Sequence, residues 1–177
     1  MGLFGSVALA VCLMRKNVTQ AFAGAIVDVS QATVSRRWDL LRPLIAQVLA
    51  EFVPHPSEVV GAGTVLVDGT ICPTWDCPDI PDLYSAKAGY AGMNIQIAAT
   101  LSGRLAAVGP IPVHGARHDA HAFAACGKIR AAVEHAIPHL KTWRMLSEEG
   151  GRYRAPIQKY QSMLKAVIGL YFFAACE

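Results

Sequence analysis

The sequence has no run of about 18 uncharged apolar residues, the length that a membrane-spanning helix needs. We therefore expect no transmembrane helix, although 53% of the residues are hydrophobic. The apolar start, residues 1–14, has neither a basic residue ahead of it nor a small-residue cleavage site after it, so a signal peptide is not expected. Cysteine is scarce. The five cysteines are odd in number and scattered, which predicts reduced thiols rather than disulfides or a zinc site, and a cytoplasmic location.

Charge is distributed unevenly along the chain. Residues 1–50 carry five basic and two acidic side chains, residues 51–119 carry three and seven, and residues 120–177 carry eight and four. Two basic ends around an acidic middle fit a nucleic-acid partner with a cation site between them. An ordinary solvated surface produces the same split, so this pattern alone leaves both interpretations open.

The first 53 residues are predicted to be helical. Helical spacing of apolar residues indicates helices over 6–16, up to Ile26 and over 31–41, with a restart after Pro43. Asn17 or Thr19 is the expected N-cap of the second helix, and Ser30 that of the third. The positions predicted to face inward are Val7, Ala10, Val11 and Met14 in the first helix, Phe22 and Ile26 in the second, and Val34, Trp38 and Leu41 in the third.

The second and third predicted helices, joined by a short turn, are typical of a helix-turn-helix. Ser and Thr side chains bind phosphates, whereas Gln and Arg read base edges. Asp28 stands in the turn where such motifs usually have glycine, and an ordinary three-helix unit with a solvated face is the alternative. The outward residues predicted to contact DNA are Gln31, Thr33, Ser35, Arg36 and Arg37.

The segment TVLVDGT, residues 64–70, predicts a strand buried on both faces that ends at Asp68, with Gly69 supplying a turn. A carboxylate at the end of a buried strand is costly to desolvate unless a cation lies beside it. A β-hairpin is predicted from residues 93–99 and 104–113, joined by a turn at 101–103. The rest of the chain is predicted to be helical, up to Leu146 and again over 155–175.

Four segments resemble the DDE-superfamily transposases of bacterial insertion sequences, in the branch related to the Harbinger-type nucleases. They are VSQATVSRRWDLLRPLI (29–45), VLVDGT (65–70), YSAKAGYAGMNIQIAATLSGRLAAVGPIPVHGARHDAHAF (84–123), and IRAAVEHAIPHLKTWRML (129–146) with YRAPI (153–157). The forty residues 84–123 are the specific part of this resemblance.

The resemblance implies an α/β fold: an RNase H-like mixed sheet flanked by helices, preceded by an all-α helix-turn-helix module. The corresponding domains are residues 1–53 for DNA binding and residues 60–177 for the endonuclease, the latter incomplete between 124 and 128. Such enzymes hold two divalent cations, Mg²⁺ or Mn²⁺, on three carboxylates and carry out in-line phosphoryl transfer. The implied partner is double-stranded DNA bearing transposon inverted repeats, in the cytoplasm at the nucleoid. No membrane partner is expected, and a homodimer stays open.

The family's carboxylates match particular positions of this chain. Asp68 matches the first carboxylate and Glu134 the last, so both are expected to be catalytic and metal-binding. Arg130, Glu134 and Lys141 have the family's R-x3-E-x6-K spacing, which puts them on roughly one face of a helix, with Arg130 and Lys141 near DNA phosphates. The alternative is a solvated helix on which Arg130 and Glu134 form an ordinary ion pair.

The second carboxylate motif of the family, a Gly-Asp-Lys-Gly-Tyr-like strand end, is absent from the sequence. Asp119, in the His-Asp pair of the segment 114–123, is the expected substitute in the catalytic and metal set. An internal deletion is the simplest explanation. The alternative functions are therefore a catalytically inactive truncated transposase that only binds DNA, and a non-functional relic. A zinc cluster at His114, His118 and His121, with Asp119, is a further alternative, because imidazole suits zinc.

Overall fold

The structure, a computed structural model, describes residues 1–54, 65–75, 79–109, 111–116 and 131–176, with the backbone alone for residues 131–135. It combines α-helices with an antiparallel sheet. Three helices form the N-terminal part of the chain: α1 (Leu3–Lys16), α2 (Gln20–Ile26) and α3 (Gln31–Val48).

Local capping explains where α2 and α3 begin. The Thr19 hydroxyl accepts a hydrogen bond from the backbone N–H of Phe22, and the Ser30 hydroxyl accepts one from that of Thr33. Each hydroxyl satisfies one of the donors that a helix N-terminus leaves unpaired. Both helix starts therefore follow from the sequence, as predicted.

The third helix does not restart after Pro43, and that prediction was wrong. Helix α3 runs through Pro43 to Val48, although an internal proline removes one helical hydrogen bond. Leu41 and Ile45 are both buried, one on each side of the proline in sequence. A break would move one of them off the face that packs against the core, so tertiary packing outweighs the local cost. The predicted burial of Val34, Trp38 and Leu41 is confirmed.

Helix α2 buries a different face from the predicted one. Phe22 is 56% and Ile26 is 67% exposed, whereas Ala23 and Gly24 are buried. The small residues face α3 and allow the two helices to approach closely. A β-carbon at position 24 would lie 2.5 Å from the carbonyl oxygen of Val29. The prediction that Phe22 and Ile26 face inward was wrong, because α2 contacts α3 through small residues rather than through large apolar side chains.

A sheet follows the helices, with the long strand β3 at its centre. Strand β1 pairs with one edge of β3, and β2, β4 and β5 also pair with β3, all antiparallel. The predicted hairpin corresponds to β3 and β4, whose turn includes Gly103 at φ +82°. The strands are β1 (Val65–Pro73), β2 (Tyr84–Ser85), β3 (Tyr90–Thr100), β4 (Leu105–Val108) and β5 (Val113–His114).

Strand β1 differs from its prediction in length and burial. It does not end at Asp68 but continues to Pro73, because β3 is long enough to pair with all nine of its residues. Gly69 therefore lies within the strand rather than in a turn. Val65, Val67 and Ile71 are only half-buried, so β1 has one buried face instead of the two that were predicted.

Two helices complete the described part of the chain: α4 (Ala131–Lys141), which includes Pro138, and α5 (Tyr160–Ala175). Helix α4 packs on β1 and β3, and α5 packs on α3. The side chain of Asn17, just after α1, donates to the carbonyls of Gly150 and Gly151 at 2.9 and 2.8 Å. These hydrogen bonds tie the end of α1 to the segment before α5. The buried apolar residues of the N-terminal helices, the sheet and α5 form one hydrophobic core.

Among the described helices, none has the length and apolar character that crossing a bilayer requires.

Candidate functional site

Asp68 lies in the middle of β1, opposite Ile97 of β3. Alternate residues of a strand share a face, so Asp68 is on the same face as Leu66, Thr70 and Cys72, which are buried. The Asp68 carboxylate is half-buried, and its Oδ1 accepts a hydrogen bond from the backbone N–H of Gly69 at 2.8 Å. Within the described ranges it forms no ion pair, so this carboxylate is not neutralised by a neighbouring side chain.

Helix α4 brings a cation to this face of the sheet. Lys141, the last residue of α4, acts electrostatically on the buried Cys72 thiol, four positions along β1 from Asp68. Its side chain also lines an open pocket of about 340 Å³ beside the strand. The pocket wall includes Gly69 and Thr70, so it begins at the residue next to Asp68.

The pocket is basic and partly aromatic. Lys87 and Lys141 contribute two ammonium groups, Tyr84 and Tyr90 two phenol rings, and Ser85 a hydroxyl. Its described lining includes no acidic side chain. Two cations with hydroxyl donors and no counter-charge in the wall suit an anion such as a phosphate group.

Burial controls the ionisation of the groups around this pocket. Burial raises the pKa of the Cys72 thiol to about 11, despite the opposing effect of Lys141. This thiol is therefore protonated at neutral pH and is no nucleophile. Burial, followed by a hydrogen bond to Glu148, raises the pKa of Tyr90. The Tyr90 phenol consequently stays neutral and keeps its proton as a donor.

The predicted helix-turn-helix corresponds to α2, the turn at residues 27–30 and α3. Asp28, which stands where such turns usually have glycine, adopts the left-handed conformation at φ +52°. Aspartate tolerates this region better than most residues, so the turn forms without glycine. The backbone N–H of Val29 donates to the carbonyl of Gly24 at 2.9 Å and closes the turn.

The five residues of the helix-turn-helix that are predicted to contact DNA are all on α3 but differ in exposure. Gln31 and Arg36 are exposed, and Thr33, Ser35 and Arg37 are half-buried. The Thr33 hydroxyl accepts a hydrogen bond from the Arg36 guanidinium at 3.3 Å, which holds this arginine along the helix. Arg36 is the most available cation of the first two turns.

A groove of about 600 Å³ runs between the start of α3 and the segment before α5. Gln31 and Ser35 line one side, and Arg154 and Lys159 line the other. The Lys159 ammonium binds the Asp39 carboxylate at 2.6 Å, and this contact holds the pKa of Asp39 below its usual value. Two of the predicted DNA contacts, Gln31 and Ser35, therefore line a groove whose wall also carries Arg154 and the Lys159–Asp39 ion pair.

The remaining predicted site residues are only partly covered by the structure. Asp119 and Arg130 lie outside the described residues, as do two of the three histidines of the zinc alternative, His118 and His121. Glu134 belongs to α4, but its side chain is also outside the described part. Within that part, no three His, Cys, Asp or Glu side chains gather into a group that could hold a metal ion. The convergence of Asp68, Asp119 and Glu134 stays a prediction.

Sequence reasoning gave too little weight to three residues of the basic pocket: Lys87, Tyr84 and Tyr90. The segment YSAKAGY, residues 84–90, forms β2, a turn and the start of β3, so a tight turn places the lysine and both tyrosines around one opening. The available signal was Gly89, which adopts φ +78°: a glycine between these residues indicates a tight turn that brings them together.

No family model matches this chain, and neither a curated protein nor a solved structure is significantly similar to it.

Proposed function

We propose that this protein is a transposase-like endonuclease of the DDE superfamily. In this proposal it binds the double-stranded DNA of transposon ends and performs divalent-metal-dependent phosphodiester hydrolysis and strand transfer. An RNase H-like arrangement of the sheet and its helices, and a place at the nucleoid, are parts of the same proposal. It is supported by the segments that resemble the family and by the chemistry of the residues around Asp68.

The observation that carries the proposal is the neighbourhood of Asp68 and the basic pocket. A half-buried carboxylate without an ion-pair partner in the described ranges lies one residue from a pocket with two lysines. A carboxylate is a hard oxygen ligand for Mg²⁺, and the lysines suit the phosphates of a DNA strand. A site that cleaves phosphodiesters needs both groups close together.

The donor set fits a hard cation. One carboxylate oxygen of Asp68 accepts a hydrogen bond from the Gly69 N–H, and the second oxygen has no hydrogen-bond donor among the residues described. Asp68, with Asp119 and Glu134, would hold Mg²⁺ or Mn²⁺. When bound, the metal supplies activation of the attacking hydroxyl and stabilisation of the leaving oxygen.

The other proposed tasks belong to side chains of this chain. Lys87 and Lys141 bind phosphate oxygens and orient the strand beside Asp68, and Arg130 is proposed to contact a further phosphate. The neutral Tyr90, whose phenol is hydrogen-bonded to Glu148, supplies an aromatic wall beside the strand. On the N-terminal helices, Gln31, Thr33, Ser35, Arg36 and Arg37 contact the duplex.

The carboxylate is tested by Asp68→Asn, which keeps the shape of the side chain and removes its charge. We expect cleavage of a transposon-end duplex in Mg²⁺ or Mn²⁺ to fall to the level measured without metal, while binding to that duplex is retained. Asp79→Asn, on an exposed turn, is the matched control and should cleave normally. Equal cleavage by the wild type and Asp68→Asn would contradict the proposal.

The phosphate contact is tested by Lys141→Ala. We expect uniformly weaker DNA binding and a salt dependence shallower by about one unit of slope, because one phosphate contact is lost. Lys165→Ala, an exposed lysine of α5, removes the same charge away from the pocket and should change neither quantity. Equal salt slopes for the two variants would show that Lys141 does not touch DNA.

A second candidate function is DNA binding without metal chemistry, as expected of a truncated transposase. The geometry of α2 and α3 favours this function, because α3, the second helix of the helix-turn-helix, presents Gln31 and Arg36 to solvent independently of the sheet. Salt-sensitive binding of the ends without cleavage in either metal would support this function. If the chain neither binds nor cleaves, it is a relic.

A further inference from the structure

Helix α3 carries an exposed apolar stripe on its C-terminal half. Leu40, Leu44 and Val48 are 53%, 44% and 67% exposed. They recur every four residues, so they lie along one side of the helix. The buried face of α3, with Trp38 and Ile45, lies on a different side. We call Leu40, Leu44 and Val48 the α3 stripe.

The α3 stripe has a charge at each end. Arg37 precedes Leu40 on the same side of the helix, and Glu51 follows Val48 in the short 3-10 turn. Neither side chain takes part in a hydrogen bond or an ion pair within the described part of the chain. An unpaired cation and an unpaired anion therefore stand at opposite ends of one apolar surface.

This surface is complementary to itself. In an antiparallel pair of α3 helices related by a two-fold axis through Leu44, Leu44 meets its own copy and Leu40 meets Val48 of the other copy. The same axis brings Arg37 against Glu51 of the other copy, because both are seven positions from Leu44. In the dimer Arg37 therefore faces the other copy, and the DNA contacts of α3 fall to Gln31, Thr33, Ser35 and Arg36. A two-fold interface repeats every contact, so two apolar pairs and two ion pairs form at once.

We propose that the α3 stripe is a homodimer interface, with a second copy of this chain packed antiparallel along it. The opposite charges at its ends select a second copy in this orientation, since a parallel pair would place Arg37 against Arg37. The apolar residues supply the area removed from water, and the two ion pairs fix the register.

The dimer has a consequence for DNA binding that rests on the proposed function. Residues 31–36 average about 10.5 positions from Leu44, so in the antiparallel pair their two copies lie about 32 Å apart along the helix axes. Half-sites one turn of B-DNA apart are separated by about 34 Å. The dimer would therefore present two DNA-contacting ends at the spacing that inverted half-sites require.

The experiment measures the oligomeric state of the full chain without DNA, by sedimentation equilibrium. We expect a reversible dimer that Leu44→Glu converts to monomer, because two carboxylates would meet at the two-fold axis. Leu101→Glu adds the same charge at an equally exposed leucine in the β3–β4 turn and should leave the dimer intact. Circular dichroism checks that both variants are folded.

Charge reversal provides the sharper test. Arg37→Glu and Glu51→Arg should each weaken dimerisation about tenfold, because each places like charges together at two equivalent contacts. The double variant should restore the wild-type dissociation constant. A chain that stays monomeric up to about 1 mM, a dimer insensitive to Leu44→Glu, or a double variant no better than the single ones would each overturn the proposal. None of these results bears on DNA cleavage, so the two proposals fail separately.

Discussion

Replacing Gly24 by alanine tests whether the close approach of α2 and α3 sets the geometry of the helix-turn-helix. Gly24 lies inside α2 and is buried, and an added β-carbon would lie 2.5 Å from the carbonyl oxygen of Val29. That oxygen belongs to the backbone of the turn and cannot rotate away. The turn must therefore shift, or α2 must move off α3.

Two opposing effects set the magnitude. Overpacking of a buried contact costs about 1–3 kcal/mol, whereas alanine in place of glycine favours a helix by about 0.5–1 kcal/mol. The middle values of these two ranges leave a net loss of about 1 kcal/mol in the free energy of unfolding. For a chain of this length, that corresponds to a melting temperature lower by about 2–4 °C. Urea unfolding followed by far-UV circular dichroism measures the first quantity, and a thermal scan the second.

The matched control is Gly5→Ala, in α1. Its β-carbon would approach only the Met1 side chain, at 2.9 Å, and this exposed terminal side chain can move aside. The same substitution should therefore stabilise the protein by a few tenths of a kcal/mol or leave it unchanged. A Gly24→Ala variant as stable as the wild type, or more so, would refute the tight α2–α3 contact.

Two further predictions follow from the ionisation of side chains. The contact with Lys159 lowers the pKa of Asp39, so its stabilisation is present above pH 4 or so and is lost as the pH falls through the lowered value. Both side chains are more than a third exposed, so Lys159→Met should lower the free energy of unfolding by under about 1 kcal/mol at neutral pH and by almost nothing near pH 2. Urea unfolding at the two pH values measures both losses. A loss of the same size at both pH values would contradict the prediction. Because the pKa of the buried Cys72 thiol is about 11, iodoacetamide at about pH 8 should modify the exposed Cys12 in the folded protein but Cys72 only after denaturation. Peptide mass mapping reads out both sites, and equal labelling of the two thiols would show that Cys72 is not buried.

Much of the N-terminal fold could be predicted because its signals are local. The hydroxyls of Thr19 and Ser30 mark two helix starts, since a cap involves only residues three positions apart. Burial of Val34 and Trp38 followed from helical spacing alone. The exposed Phe22 was mispredicted because a helix of seven residues has apolar positions on more than one side, and spacing does not say which side has a partner.

The candidate site was predictable in part. Asp68 stood out because a carboxylate in an apolar run needs an explanation, and it does lie half-buried on the sheet. The pocket beside it was not predictable, because Lys87 and Lys141 are 54 positions apart and meet only when α4 packs over the sheet. No local sequence pattern predicts that two lysines so far apart in the chain line one pocket.

The sequence by itself determined where α2, α3 and the β3–β4 turn begin, because hydrogen bonds to caps and the left-handed glycine at position 103 act within a few residues. Only the tertiary structure decided that α3 continues through Pro43, that β1 extends beyond Asp68 and that two distant lysines share a pocket. These outcomes depend on burial of apolar surface and on strand pairing between remote segments, whose free energy exceeds the local preferences that a sequence pattern records.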